Sequence, residues 1–147
     1  MQIHAACHCR NIRFTLDWPD APASIPARQC TCTFCRKHGG VWTATPTGRL
    51  RVQVQDPARL SHYVFGTRTA EFHVCAVCGA VPVVTSEIDG RRYAVVNENC
   101  FEDVDPARLQ RVEVSFDGEA EDARLARRAR HWIGDVQFES PGTAARL

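Results

Sequence analysis

Residues 30–40 read Cys-Thr-Cys-Thr-Phe-Cys-Arg-Lys-His-Gly-Gly, which sets Cys30, Cys32 and Cys35 close together on one short stretch. Two pairs flank this triple, Cys7 with Cys9 before it and Cys75 with Cys78 after it, so seven of the eight cysteines are clustered. Thiols two or three residues apart can turn onto one metal ion from a single loop, whereas a disulfide between them would be strained. The clusters read as metal ligands, and zinc is the expected ion.

Zinc takes four protein ligands where it is structural, and three plus an open position where it is catalytic. Seven thiols divide accordingly. The simplest partition joins Cys7, Cys9, Cys75 and Cys78 in a closed site and leaves Cys30, Cys32 and Cys35 as an open one. At this stage an alternative stands beside it: Cys100, His38 or His73 could complete the second site and make it structural as well. An isolated cysteine such as Cys100 is more often a small buried hydrophobe.

The bulk properties suit a small protein whose stability leans on metal. A chain of 147 residues with 44% apolar content predicts one domain, residues 1–139, with a modest core. Eighteen basic residues stand against 17 acidic ones, so no strongly basic face for nucleic acid or an anionic membrane is expected, and small molecules are the expected partners. The N-terminus lacks a basic segment followed by an apolar run, and no stretch approaches the roughly 20 apolar residues of a membrane span. The expected location is the cytoplasm, whose reducing conditions keep thiols available to metal. No phosphate-binding glycine loop, dinucleotide motif or paired-carboxylate motif is present.

Period-two patterns dominate and predict a mainly β fold. Ile12, Phe14 and Leu16 alternate with Arg13 and Thr15; Leu50, Val52 and Val54 with Arg51 and Gln53; and Val112, Val114 and Phe116 with Arg111, Glu113 and Ser115. Each set predicts a half-buried strand. The apolar runs 81–85 and 93–96, separated by Asp89-Gly90, predict a hairpin. The proline-rich stretch 18–26 predicts an irregular connection. Asp56-Pro-Ala-Arg-Leu and Asp105-Pro-Ala-Arg-Leu predict single helical turns capped by aspartate. From Glu119 to Ile133 a helical pattern returns, with acidic residues before basic ones, and residues 140–147 read as a flexible tail.

Taken together, C-H-C, then C-T-C-T-F-C-R-K-H-G, then F-H-V-C-A-V-C-G resembles the glutathione-dependent formaldehyde-activating enzyme family. R-N-I-R-F after the first pair, Gly79 after the last cysteine, and V-V-N-E-N-C-F-E-D before the strand ending in Phe116-Asp117-Gly118 belong to the same pattern, which spans Cys7 to about Gly118. The resemblance implies a zinc-stabilised fold of the β-tent type. It implies a structural zinc on Cys7, Cys9, Cys75 and Cys78, and a catalytic zinc on Cys30, Cys32 and Cys35. Thr31, Thr33 and Cys100 depart from the pattern without removing a ligand.

The implied activity is that of a carbon–sulfur lyase forming S-(hydroxymethyl)glutathione from glutathione and formaldehyde, or handling a related thiol adduct. A thiol at the vacant zinc position would lose its proton and become a nucleophile beside its electrophile. Arg36 and Lys37 are candidate contacts for the carboxylates of glutathione, with solvated charge as the plain alternative. Gly39-Gly40 predicts a tight turn, and His73 either orients a cluster or sits on a strand face. The competing function is a non-catalytic zinc β-module that binds a protein partner.

Overall fold

A computed structural model describes residues 1–139; the expected tail, 140–147, lies outside them. Four strands form one sheet: β1 (Gln2–Ala6), β2 (Ile12–Asp17), β5 (Arg49–Val54) and β11 (Asp135–Glu139), in the order β1-β2-β5-β11. Seven form the other: β3 (Ile25–Cys30), β4 (Val41–Thr43), β6 (Leu60–Tyr63), β7 (Glu71–Cys75), β8 (Val83–Ile88), β9 (Arg91–Asn97) and β10 (Leu109–Val114), in the order β10-β3-β4-β9-β8-β7-β6. Two α-helices, α1 (Thr33–His38) and α2 (Glu121–His131), complete the mainly β fold that the alternation predicts. No helix among the described residues is long and apolar enough to cross a membrane.

Register explains the core of the smaller sheet. Ile12, Phe14 and Leu16 of β2 pair with Val54, Val52 and Leu50 of β5, so the apolar sets of both strands face the same side. All six are buried, and they pack with Ile3, Trp18 and Ile25 into the larger apolar cluster. Strands β8 and β9 meet through the two-residue turn Asp89-Gly90, with φ of 51° and 76°. Positive φ at both positions is the hairpin geometry that an Asp-Gly pair accommodates. Asp56 and Asp105 cap their short turns as expected, accepting hydrogen bonds from the amides of Ala58 (3.0 Å) and Ala107 (2.9 Å). Replacing Asp105 by alanine should lower stability by about 1 kcal/mol, read as a shift in the urea midpoint.

Three expectations need correction. The stretch 18–26 is irregular only as far as residue 24, because β3 begins at Ile25 and includes Pro26. On β3, β4 pairs only with Arg28 and Gln29, so the proline sits beyond the β3–β4 ladder, and its carbonyl accepts from Thr43 Oγ1 at 2.6 Å. The strand through Val112 is not half-buried: β10 is an edge strand, parallel to β3, and Val112 is 60% exposed. It also ends at Val114, before Phe116. The helix expected over 119–133 occupies Glu121–His131; Trp132 and Ile133 leave it, and Ile133 exchanges two backbone hydrogen bonds with Ala94 of β9. That bridge pins the end of α2 to the larger sheet.

Candidate metal centres and the adjoining pocket

The four-cysteine group joins the two sheets. Cys7 follows β1, and a turn returns the chain to β2, closed by Cys7 N–H to Ile12 O at 2.9 Å. Cys75 ends β7 in the other sheet, and its carbonyl accepts from Gly79 N–H at 2.9 Å, which curls Cys78 back toward it. One sulfur from each of Cys7, Cys9, Cys75 and Cys78 lies within 4.8 Å of all the others. The Cys7–Cys9 and Cys9–Cys75 sulfurs are 3.8 Å and 3.4 Å apart.

Tetrahedral coordination at a Zn–S length of about 2.3 Å places sulfurs roughly 3.8 Å from one another. A disulfide would need about 2.05 Å, and every cysteine is free. The donor set fits a closed thiolate metal site. Amides already point at two of the sulfurs, Ile12 N–H at Cys7 (3.3 Å) and Cys78 N–H at Cys75 (3.5 Å). Burial pushes the Cys7 thiol up to about 12. For Cys78 burial also pushes upward, yet the Cys9 and Ala80 amides and the neighbouring thiols outweigh it and bring the group down to about 6. The four sulfurs are thus crowded together, and a metal cation among them would favour their thiolate forms.

The second group is built on a strand end and a short helix. Cys30 ends β3, Cys32 caps α1 by accepting from Cys35 N–H at 3.3 Å, and Cys35 is buried within the helix. Their three sulfurs lie within 4.8 Å of one another. Trp42 Nε1–H donates to Cys35 Sγ at 3.4 Å. A hydrogen bond from the Cys35 thiol pulls Cys30 down to about 6, and that same contact, with burial, pushes Cys35 upward.

The surrounding chain holds this group in place. Thr31, between two of the cysteines, donates both its amide and its hydroxyl to Val114 O, each at 3.0 Å. Asn99 Nδ2–H donates to Gly39 O at 3.0 Å, tying the Asn97-Glu98-Asn99 motif to the end of α1. Gly39 ends α1 with φ of 74°, and a Cβ on Gly40 would lie 2.7 Å from the His38 and Trp42 rings, so the turn requires both glycines.

None of the three residues considered as a fourth ligand joins this group. His38 packs against Phe34 and Trp42, with ring centroids 4.4 Å and 5.9 Å away. His73 sits on β7 and pairs its Nε2 with Thr85 Oγ1 at 2.8 Å; together with His62 and Glu71 it forms a separate group on the β6–β7 edge. Cys100 is buried in the core, and burial pushes its thiol up to about 12. Cys100→Ala should leave the metal content unchanged and cost on the order of 1 kcal/mol. Loss of a metal ion from that variant, measured by elemental analysis, would return Cys100 to the ligand set.

Beside Cys30, Cys32 and Cys35 opens a cavity of about 160 Å³. Trp42, Phe65, Phe72, Val84, Val95 and Trp132 give it an apolar wall. Its charged lining is Arg28, Arg124, Arg127, Arg128 and Asp117. Arg36 and Lys37 are exposed on α1 and do not line it; nor does Phe34, which packs with Tyr63, Phe65 and Phe72 instead. The α2 arginines were missed in the sequence. Their only signal there was the basic end of an amphipathic helix, which the helix dipole accounts for without a ligand.

Two cysteine clusters that could each hold a metal ion stand on a mainly β scaffold, and one of them adjoins a pocket. The family profile of glutathione-dependent formaldehyde-activating enzymes matches residues 2–116, and the chain belongs to that family. A crystal structure of a Rhodobacter sphaeroides protein, a structural-genomics target, is 28% identical and superposes with a TM-score of 0.51 over 73% of this chain and 93% of that one. No curated protein matches the sequence.

Proposed function

We propose that the protein catalyses the reversible addition of glutathione to formaldehyde, as a carbon–sulfur lyase with two zinc ions. Cys7, Cys9, Cys75 and Cys78 would hold a structural zinc, and Cys30, Cys32 and Cys35 a catalytic one. The observation that carries this reading is three grouped sulfurs, without a fourth protein ligand among the described residues, at the wall of a pocket. Zinc bound there would favour the thiolate form of an incoming thiol. In the addition the glutathione sulfur bonds to the carbonyl carbon, the C–O π bond opens, and the thiol proton ends on the new hydroxyl; the reverse reaction breaks the same C–S bond.

The chain's own residues supply the setting. The indole N–H of Trp42 holds the Cys35 sulfur in place and withdraws charge from it. The aromatic wall makes one side of the pocket apolar, which strengthens electrostatic interactions beside it. The thiolates of both clusters require reducing conditions, in keeping with a cytoplasmic location.

Exchange NMR on a mixture of formaldehyde and glutathione, with zinc content verified on the same sample, tests the proposal. Faster interconversion of free and adduct signals than in buffer is expected. An unchanged exchange rate with two zincs bound would remove this substrate pair and favour the binding-module role.

A further inference from the structure

Helix α2 lies beyond residues 2–116, the part that the family profile matches, yet it supplies three of the four arginines lining the pocket. Their pairing is unequal. Glu119 takes Arg127 in a two-pronged contact (3.0 Å and 3.1 Å) and also faces Arg124 at 3.7 Å. Arg127 further stacks on Phe116, 3.7 Å from its ring centre. Arg128 and Arg28 form no ion pair among the described residues.

Arg128 is the more telling of the two, because it is only 6% exposed. Its Nη1 donates to neutral oxygens alone, Thr69 O (3.2 Å), Thr69 Oγ1 (2.9 Å) and Ser86 Oγ (3.2 Å). Its Nε is buried with no partner. The guanidinium stacks on Trp132 at 5.0 Å. A buried cation without a counter-charge is costly, and fixed neutral donors and acceptors offset that cost only in part. Arg28 stands two residues before Cys30 on β3, so the period of two puts both side chains on the same face of the strand.

Burial and the neighbouring Arg124 and Arg127 lower Arg128 to about 10. Four arginines give the pocket a positively charged lining that a bound anion would relieve. Asp117 is its single acidic lining residue.

We infer that Arg128 and Arg28 form an oxyanion subsite beside the three cysteines, which receives a carboxylate of the thiol substrate. This rests on the thiol-binding reading of the three-cysteine site. A guanidinium presents paired N–H donors that match the two oxygens of a carboxylate. The subsite makes α2 a selector: thiols carrying a carboxylate are held with sulfur toward the cysteines, and neutral thiols are not.

The test is calorimetric binding to the zinc-loaded protein, with glutathione, glutathione diethyl ester and thiol-free glutarate as probes. Masking the carboxylates in the diester should weaken binding by at least about tenfold, and Arg128→Met should weaken glutathione by a similar factor while leaving the diester unchanged. Glutarate should compete with glutathione on the native protein and lose that ability in Arg128→Met. Arg128→Lys, which keeps the charge, should restore part of the affinity. Should Arg128→Met fail to fold, Arg28→Met gives the same comparison from a residue with fewer contacts.

Equal affinity for glutathione and its diester, or equal weakening of both in the variants, would overturn the subsite. The two proposals fail separately. Carboxylate-selective binding without formaldehyde exchange would retain the subsite and remove the lyase reading. Exchange that proceeds equally well with the diester would do the reverse.

Discussion

Replacing Cys75 by serine should leave the protein unfolded at physiological temperature, with the zinc of the four-cysteine group lost. Cys75 is 1% exposed and ends β7 in the larger sheet, while Cys7 follows β1 in the smaller one, so a metal held by the group would bolt one sheet to the other. Structural zinc contributes about 10–16 kcal/mol of apparent binding free energy, and the net stability of a domain is about 5–15 kcal/mol. Loss of the first term therefore removes most or all of the second. A strong chelator acting on the native protein should have the same effect. Circular dichroism during a thermal scan checks both, and a cooperative transition kept near the native midpoint in the metal-free protein would show that the fold does not depend on this site.

The second large effect falls on activity and spares the fold. Cys32→Ser should abolish acceleration of formaldehyde–glutathione exchange, a loss of roughly a hundredfold or more, and should release one zinc. Cys32 is partly exposed and sits at the start of α1, where it caps the helix. Serine is a good capping residue, so the local backbone is preserved while a thiolate is removed. The four-cysteine group and the β2–β5 core are elsewhere, and the thermal midpoint should move by only a few degrees. Native-like exchange in this variant would separate catalysis from the three-cysteine site. Unfolding would show instead that both clusters are structural.

The elements legible in the sequence were those with one buried face or a distinctive turn. Ile12, Phe14 and Leu16 announce β2 because their opposite face carries Arg13 and Thr15, and Asp89-Gly90 announces its hairpin because few other pairs tolerate two positive φ values. The same alternation misleads at Val112, since an edge strand can keep the pattern with nothing packed on the apolar side. β3 was hidden by its proline, whose missing N–H matters only where a ladder needs it.

The cysteine clusters were legible because short spacing confines sulfurs to one neighbourhood. Which basic residues would line the pocket was not. Arg36 and Lys37 adjoin Cys35 in sequence, but successive residues on a helix point about 100° apart, and these two are exposed while Cys35 is buried. Arg128 lies far along the chain and reaches the pocket only because Ile133 bridges to Ala94 and turns α2 across the larger sheet. No local pattern encodes that return.

The central claim is that seven thiolates hold two zinc ions, four on one and three on the other. Zinc X-ray absorption on the zinc-loaded protein measures the mean sulfur count directly. Seven sulfurs shared between two ions predict about 3.5 per zinc, with a lighter oxygen or nitrogen scatterer making up the rest, and addition of glutathione should raise the value toward about 4. With two zincs bound per chain, a count of about 4 before any thiol is added would contradict the open site, because it would require an eighth protein sulfur, and Cys100 is the one cysteine left to provide it.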